Sequence, residues 1–162
     1  MWKAVTGINQ PNETGNFLPF DWEWVLREYP ILESTAIEEG TAVAPQISSN
    51  DVTWKLTKMG TENATGADFT GIIAEAIRAT DDDYATAFKK KKVWVRKSVD
   101  SRAYFTVWAG TFTTADVFRT VEIHSDSLSL AVDTAGKGAR IEEYISSTRG
   151  VCSFNLPMTE TA

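Results

Sequence analysis

The chain holds one cysteine and one histidine in 162 residues, and these shortages exclude whole classes of chemistry. Cys152 has no second thiol to pair with, so an internal disulfide is ruled out and nothing signals an oxidising compartment. A reduced cytosol is the expected setting. His124 has no second His to share a metal with, and no Cys/His spacing of a zinc site is present. No stretch approaches the roughly 18 apolar residues of a membrane-spanning helix. The opening MWKAVTGINQPNETG lacks a basic segment leading into an apolar core and a small-residue cleavage site, so export by a signal peptide is not expected. The sequons at Asn12 and Asn63 are accordingly read as chance. Basic residues are also short, 16 against 22 acidic, for a net charge of −6. That balance works against a phosphate backbone, and no nucleic-acid partner is expected.

What is present is an ordinary globular composition, 43% hydrophobic and 23% charged, in a length that suits one domain. From Val52 onward the pattern is of strands. Val52 to Thr57 alternates apolar and polar residues, and Arg102 to Ala109 places Ala103, Phe105, Val107 and Ala109 on one face. Phe69 to Arg78, Val93 to Val99, Arg119 to Ile123, Ser127 to Val132 and Gly150 to Leu156 read as further strands, with Val99 to Arg102 as a hairpin turn. A short helix is expected in Ala139 to Ser146, where Ile141, Tyr144 and Ile145 fall at i, i+3 and i+4. The segment after Asp21 fits a helix N-terminus or a strand equally well. The fold class predicted is mainly β, a small β-barrel or β-sandwich over residues 31–157 with at most one or two short helices. A polar tail occupies 158–162.

Residues 1–30 differ in character, with three of the six Trp, Phe17, Phe20 and three of the five Pro but no sustained periodicity. They read as an extended aromatic arm that either docks on a partner or packs back over its own domain.

Three patterns come close to chemistry. Glu122, His124 and Asp126 share one face if they lie on a strand, the arrangement of a general base or metal ligand, but no nucleophile motif accompanies them. They read as the wet face of a half-buried strand. Thr134 to Gly138 sits where a phosphate loop would, yet Ala131 and Gly138 stand where that motif needs Gly and Ser or Thr; a flexible turn is expected. Asp81 to Asp83 and Lys89 to Lys92 segregate opposite charges within a dozen residues, without the spacing of a calcium loop. They read as a solvated loop or as an electrostatic contact between subunits. No catalytic, cofactor or metal residue is therefore assigned. Trp94 and Trp108 are expected as cross-strand neighbours on an exposed aromatic sheet face.

The order FTGIIAEAI, KKVWVRKSV, RAYFTVWAGTFTTADVFRTVEIHSDSLSLAVDTAGKG and RGVCSFNLP resembles the small β-barrel domains of tailed-bacteriophage virion proteins, above all the capsid decoration (cement) proteins. Gly110-Thr111-Phe112-Thr113, Ser127 to Asp133 and Gly136-Lys137-Gly138 carry the likeness. It implies a non-enzymatic protein on the outside of a phage head, assembled in the host cytoplasm. Such a protein bridges major capsid subunits, commonly as a trimer, with a terminal arm in contact. The expected interface residues are Trp2, Phe17, Phe20, Trp22, Trp24, Trp94 and Trp108, with Asp82 and Lys90 from the charge runs. A carbohydrate-binding module, a tail-tube or baseplate component, and a hydrolase on His124 are the alternatives.

Overall fold

Gly, Asp, Ser and Pro clusters cut the chain into short segments rich in β-branched and aromatic residues, which pair as strands. The computed structural model describes residues 16–20, 22–48, 51–59, 69–108, 110–136 and 138–154. They form β1 (Leu18–Pro19), β2 (Trp24–Pro30), β3 (Ala42–Ser48), β4 (Asp51–Lys58), β5 (Gly71–Ile73), β6 (Lys90–Arg96), β7 (Arg102–Thr106), β8 (Thr120–Ile123), β9 (Leu130–Ala135), β10 (Gly138–Ser146) and β11 (Arg149–Ser153). Among the described residues the one helical element is a 3₁₀ turn, Thr114–Asp116. The strands build two antiparallel sheets, in the orders β1-β7-β11-β10-β8-β9 and β2-β6-β5-β3-β4. Single bridges from Val107 to Leu130 and from Ile31 to Leu56 curl the sheets without closing either into a barrel. Of the two architectures expected, the sandwich forms.

Side chains alternate across a strand, so the second sheet can bury both faces. The row Leu26, Trp94, Ile72 and Ala42 turns toward the first sheet. There the main core gathers Phe17, Trp24, Phe69, Phe105, Phe112 and Phe154. Phe69 and Phe154 stack at 4.1 Å, and Trp24 meets both edge-on. Val43, Ile73 and Val93 turn the other way, into a second cluster with Ile31, Ile37, Leu56 and Ile77. Burying such a side chain contributes roughly 1.5–3 kcal/mol. Lys89 closes this second cluster: its buried ammonium donates to the Tyr84 carbonyl at 2.6 Å, and burial lowers its pKa.

Several expectations give way. Residues 16–30 are no arm: β1 pairs with β7, β2 pairs with β6 along its whole length, and Phe17, Leu18 and Trp24 are buried. Residues 1–15 lie outside the described residues. The helix expected at Ala139 to Ser146 is strand β10, whose ladder with β11 shifts register between Ile141 and Glu143 and again between Tyr144 and Ser146. Each bulge adds a residue, stretching the two-residue apolar spacing to the three that imitates a helix. Phe69 to Arg78 pairs as a strand only at Gly71–Ile73; the chain then turns, and the Glu75 carboxylate leaves the sheet to accept from the Lys92 N–H at 2.9 Å.

The Val99 to Arg102 turn is present but joins no hairpin. β6 belongs to one sheet and β7 to the other, so this link crosses the sandwich. The link from β1 to β2 makes the same crossing in the opposite sense. Glu23 stitches the two together: its carbonyl accepts from the Lys97 N–H at 2.9 Å and the Ser101 hydroxyl at 2.8 Å.

Candidate functional site

The residues expected at an interface do not converge. Phe17 and Trp24 are core, and Phe20 packs on Tyr104 with ring centroids 4.7 Å apart. Trp94 points between the sheets, beside Leu26 and Ile72, and its buried indole N–H has no partner among the described residues. It is therefore no neighbour of Trp108, which follows β7 in the other sheet. Trp2 lies outside the described residues. The charge runs partly neutralise each other within the chain, Lys91 meeting Asp83 at 3.1 Å, while Asp82 and Lys90 stay exposed.

Of the aromatics expected at the interface, two described tryptophans remain open to a partner. Trp108 is 59% exposed, its ring stacked on the His124 imidazole at 4.0 Å and 15°. Trp22 is 85% exposed and stands at the corner where the two crossings meet. Both flank β7, and the six residue steps from Arg102 to Trp108 separate the two ends by roughly 20 Å.

The acid–base reading of Glu122, His124 and Asp126 fails on geometry. β8 ends at Ile123, and the chain turns before the three can share a face. The Asp126 carboxylate is spent on the turn, accepting from the N–H groups of Leu128 and Ser129 and from the Ser129 hydroxyl at 2.8–3.2 Å. His124 Nδ1 accepts from the Asp126 N–H at 3.2 Å. Glu122 lies over Gly136, at the β9–β10 turn. That turn joins strand to strand rather than strand to helix, so it offers no helix N-terminus to a phosphate. Among the described residues no group of three or more His, Cys, Asp or Glu is placed to hold a metal ion. Cys152 is buried in the core, and that burial pushes its thiol pKa well up, away from the reactive thiolate.

Sequence reasoning missed Phe118 and Arg140. Phe118 is 64% exposed, with the Arg140 guanidinium 5.0 Å over its ring. It follows a capping box in which the Thr113 hydroxyl accepts from the Ala115 N–H and the Asp116 carboxylate accepts from the Thr113 N–H. The Thr113-x-x-Asp116 spacing was the available signal. That backbone bond, with the Arg119 guanidinium at 2.7 Å, holds the Asp116 carboxyl below its usual range against desolvation. Trp22, Phe88 and Phe118 all sit at positive φ, 73°, 59° and 72°. Bulky residues rarely adopt that backbone, and an observed outlier is a pointer to function.

A cleft of about 750 Å³ lies between Ile37 to Thr41 and Ala76 to Ala79. Glu39 lines it, and burial raises its carboxyl pKa while Oε1 is left without a partner among the described residues. Among the described residues no helix is long and apolar enough to cross a membrane. No family model, curated protein or solved structure matches the chain.

Proposed function

We propose that the chain is a non-enzymatic virion structural protein that binds the outer surface of a phage capsid and bridges its major capsid subunits. The resemblance of the segments from Phe69 to Leu156 supplies the virion class, and the sandwich is compatible with it. The observation that carries the binding role is Trp108. An indole left 59% exposed forgoes burial that is favourable by about 25 cal/mol per Å² of apolar surface. Its stack on His124 fixes the ring at the surface. A rigid aromatic anchor loses little conformational freedom on docking, as contact residues that dominate an interface do. The Trp108 end of the sandwich is thus the capsid-facing end, in place of the aromatic arm. Trimeric association on the capsid belongs to the same proposal, with Asp82 and Lys90 as the exposed charges between copies.

Sedimentation with DNA-filled heads tests it. The full chain should pellet with heads and remain in solution without them, and Trp108→Ala should abolish pelleting while leaving thermal unfolding cooperative. Pelleting that survives Trp108→Ala would put the contact elsewhere, and failure of the unaltered chain to bind heads would remove the capsid reading.

A further inference from the structure

At the Trp22 corner the outer surface carries a groove of about 510 Å³, lined by Trp22, Lys97, Asp100, Arg102, Arg140 and Glu142 among others. It lies at the opposite end of β7 from Trp108, and its chemistry is independent of any capsid contact.

The backbone that carries the indole into this groove is fixed. Trp22 holds φ at 73°, a conformation that costs an L-residue roughly 1–2 kcal/mol, so its surroundings must impose it. They do so through the next residue. The Glu23 N–H donates to the Phe20 carbonyl, its own carbonyl takes Lys97 and Ser101, and its carboxylate takes Arg102. A flat apolar ring is presented from a locked backbone.

Around that ring Arg102 is spent on Glu23, while other polar groups are free or only partly used. Among the described residues the Lys97 ammonium and the Asp100 carboxylate have no partner. The Arg140 guanidinium lies over the Phe118 ring and reaches Glu142 as an ion pair at 3.6 Å, leaving N–H groups without a hydrogen bond, and Glu142 uses Oε1 to accept from Ser153. Donors and acceptors thus stand side by side. Charge is balanced, with Lys97, Arg102 and Arg140 against Glu23, Asp100 and Glu142.

This combination selects among ligands. A lining of zero net charge sets no overall preference for an anion or a cation, since any ion drawn to one group meets an opposing charge nearby. An apolar partner would bury unpaired charges at several kcal/mol each. A neutral polyhydroxyl ring suits both features: its C–H face covers the indole, and each hydroxyl both donates and accepts. The volume falls in the range of small-molecule sites. We propose that the groove beside Trp22 binds a neutral saccharide. One ring stacks on the indole, its hydroxyls donate to Asp100 and Glu142, and they accept from Lys97 and Arg140. Trp108 is not part of this lining, and a groove of about 510 Å³ takes a terminal sugar or disaccharide.

The test is a titration of the nitrogen-labelled full chain with glucose, galactose, mannose, N-acetylglucosamine, maltose, cellobiose and lactose at millimolar concentrations. The reporter is the Trp22 indole N–H resonance, assigned by its loss in Trp22→Ala. At least one sugar should shift it saturably. Asp100→Ala and Arg140→Ala should each raise the half-saturating concentration about tenfold. Trp108→Ala should leave it unchanged. No response to any of the sugars overturns the proposal. So does saturable sugar binding, followed from the sugar's own proton signals, that survives Trp22→Ala, and so does tighter binding of the zwitterionic tripeptide Lys-Ala-Glu than of every sugar.

Discussion

Glu23 accepts three times from Arg102, once from its backbone N–H at 2.9 Å and twice from its guanidinium, at 3.1 Å and 3.5 Å. Arg102 opens β7 in one sheet and Glu23 precedes β2 in the other, so the pair fastens two sheet crossings at one point. Glu23→Ala removes all three bonds and should lower stability by about 1–2 kcal/mol. Arg102→Ala keeps its backbone donor and loses a half-exposed ion pair and the guanidinium contact over the Phe20 ring, so its cost should stay near or below about 1 kcal/mol. Urea unfolding of the two variants measures the order; an equal cost would mean that the guanidinium, not the backbone bond, holds the corner.

Trp24 meets Phe69 and Phe154 edge-on in the main core, which makes the segment before Ile31 part of the folding unit. Trp24→Ala should cost about 3–5 kcal/mol. A chain shortened to begin at Ile31 would lose β1 and β2, exposing the Trp94 side of β6, and should show no cooperative thermal transition by circular dichroism. A shortened chain that still melts cooperatively would restore the idea of a separable arm.

The strands were legible where the two-residue period ran unbroken. Arg102 to Thr106 is buried at Ala103 and Phe105, as its alternation demands. Period failed where topology intervened. The Ser98 to Ser101 turn has local hairpin chemistry, with the Ser98 N–H on the Ser101 hydroxyl, but no local signal tells whether the next strand joins the same sheet. β10 hid behind its bulges. The aromatic lead-in looked irregular because β1 has two residues and β2 alternates its exposure weakly. Of the candidate site, the exposure of Trp22 and Trp108 was anticipated, while Arg140 and Phe118 were not. Their meeting depends on pairing β8 with β10, a contact distant in sequence.

Asp116 gives the protein an acid-sensitive joint. The Thr113 N–H and the Arg119 guanidinium favour its charged form in the folded state and hold its pKa down. A group depressed in this way contributes stability that is fully present above its unfolded value of about 3.9. The contribution is lost as the pH falls through the lower folded value. Thermal melts from pH 6 down to about pH 2 should therefore show a steeper decline for the natural chain than for Asp116→Asn. Parallel declines would mean that other carboxylates carry the acid sensitivity.

His124 contributes through packing and through its turn. His124→Ala removes the stack on Trp108 and the acceptor for the Asp126 N–H, and should cost about 1 kcal/mol, above the 0.5 kcal/mol typical of a wet surface position. Asp126→Ala strips three acceptor bonds from the following residues and should cost more, about 1–2 kcal/mol. Chemical denaturation orders the two. A His124→Ala chain as stable as the natural one would show the stack to be incidental.

Trp22 separates strain from stability. Its left-handed backbone is imposed by bonds on Glu23, and its indole, 85% exposed, gives almost nothing back to the fold. Trp22→Ala keeps a Cβ and so keeps the strain; its stability should lie within about 0.5 kcal/mol of the natural chain. Trp22→Gly removes the Cβ and releases the strain. Part of that gain is offset by the greater freedom of glycine in the unfolded chain, leaving a net stabilisation of about 0.5–1 kcal/mol. Differential scanning calorimetry of the three chains should thus place glycine highest and the other two together. If the glycine variant melts no higher than the alanine variant, the backbone at Trp22 relaxes at no cost, and nothing fixes the point from which the indole projects.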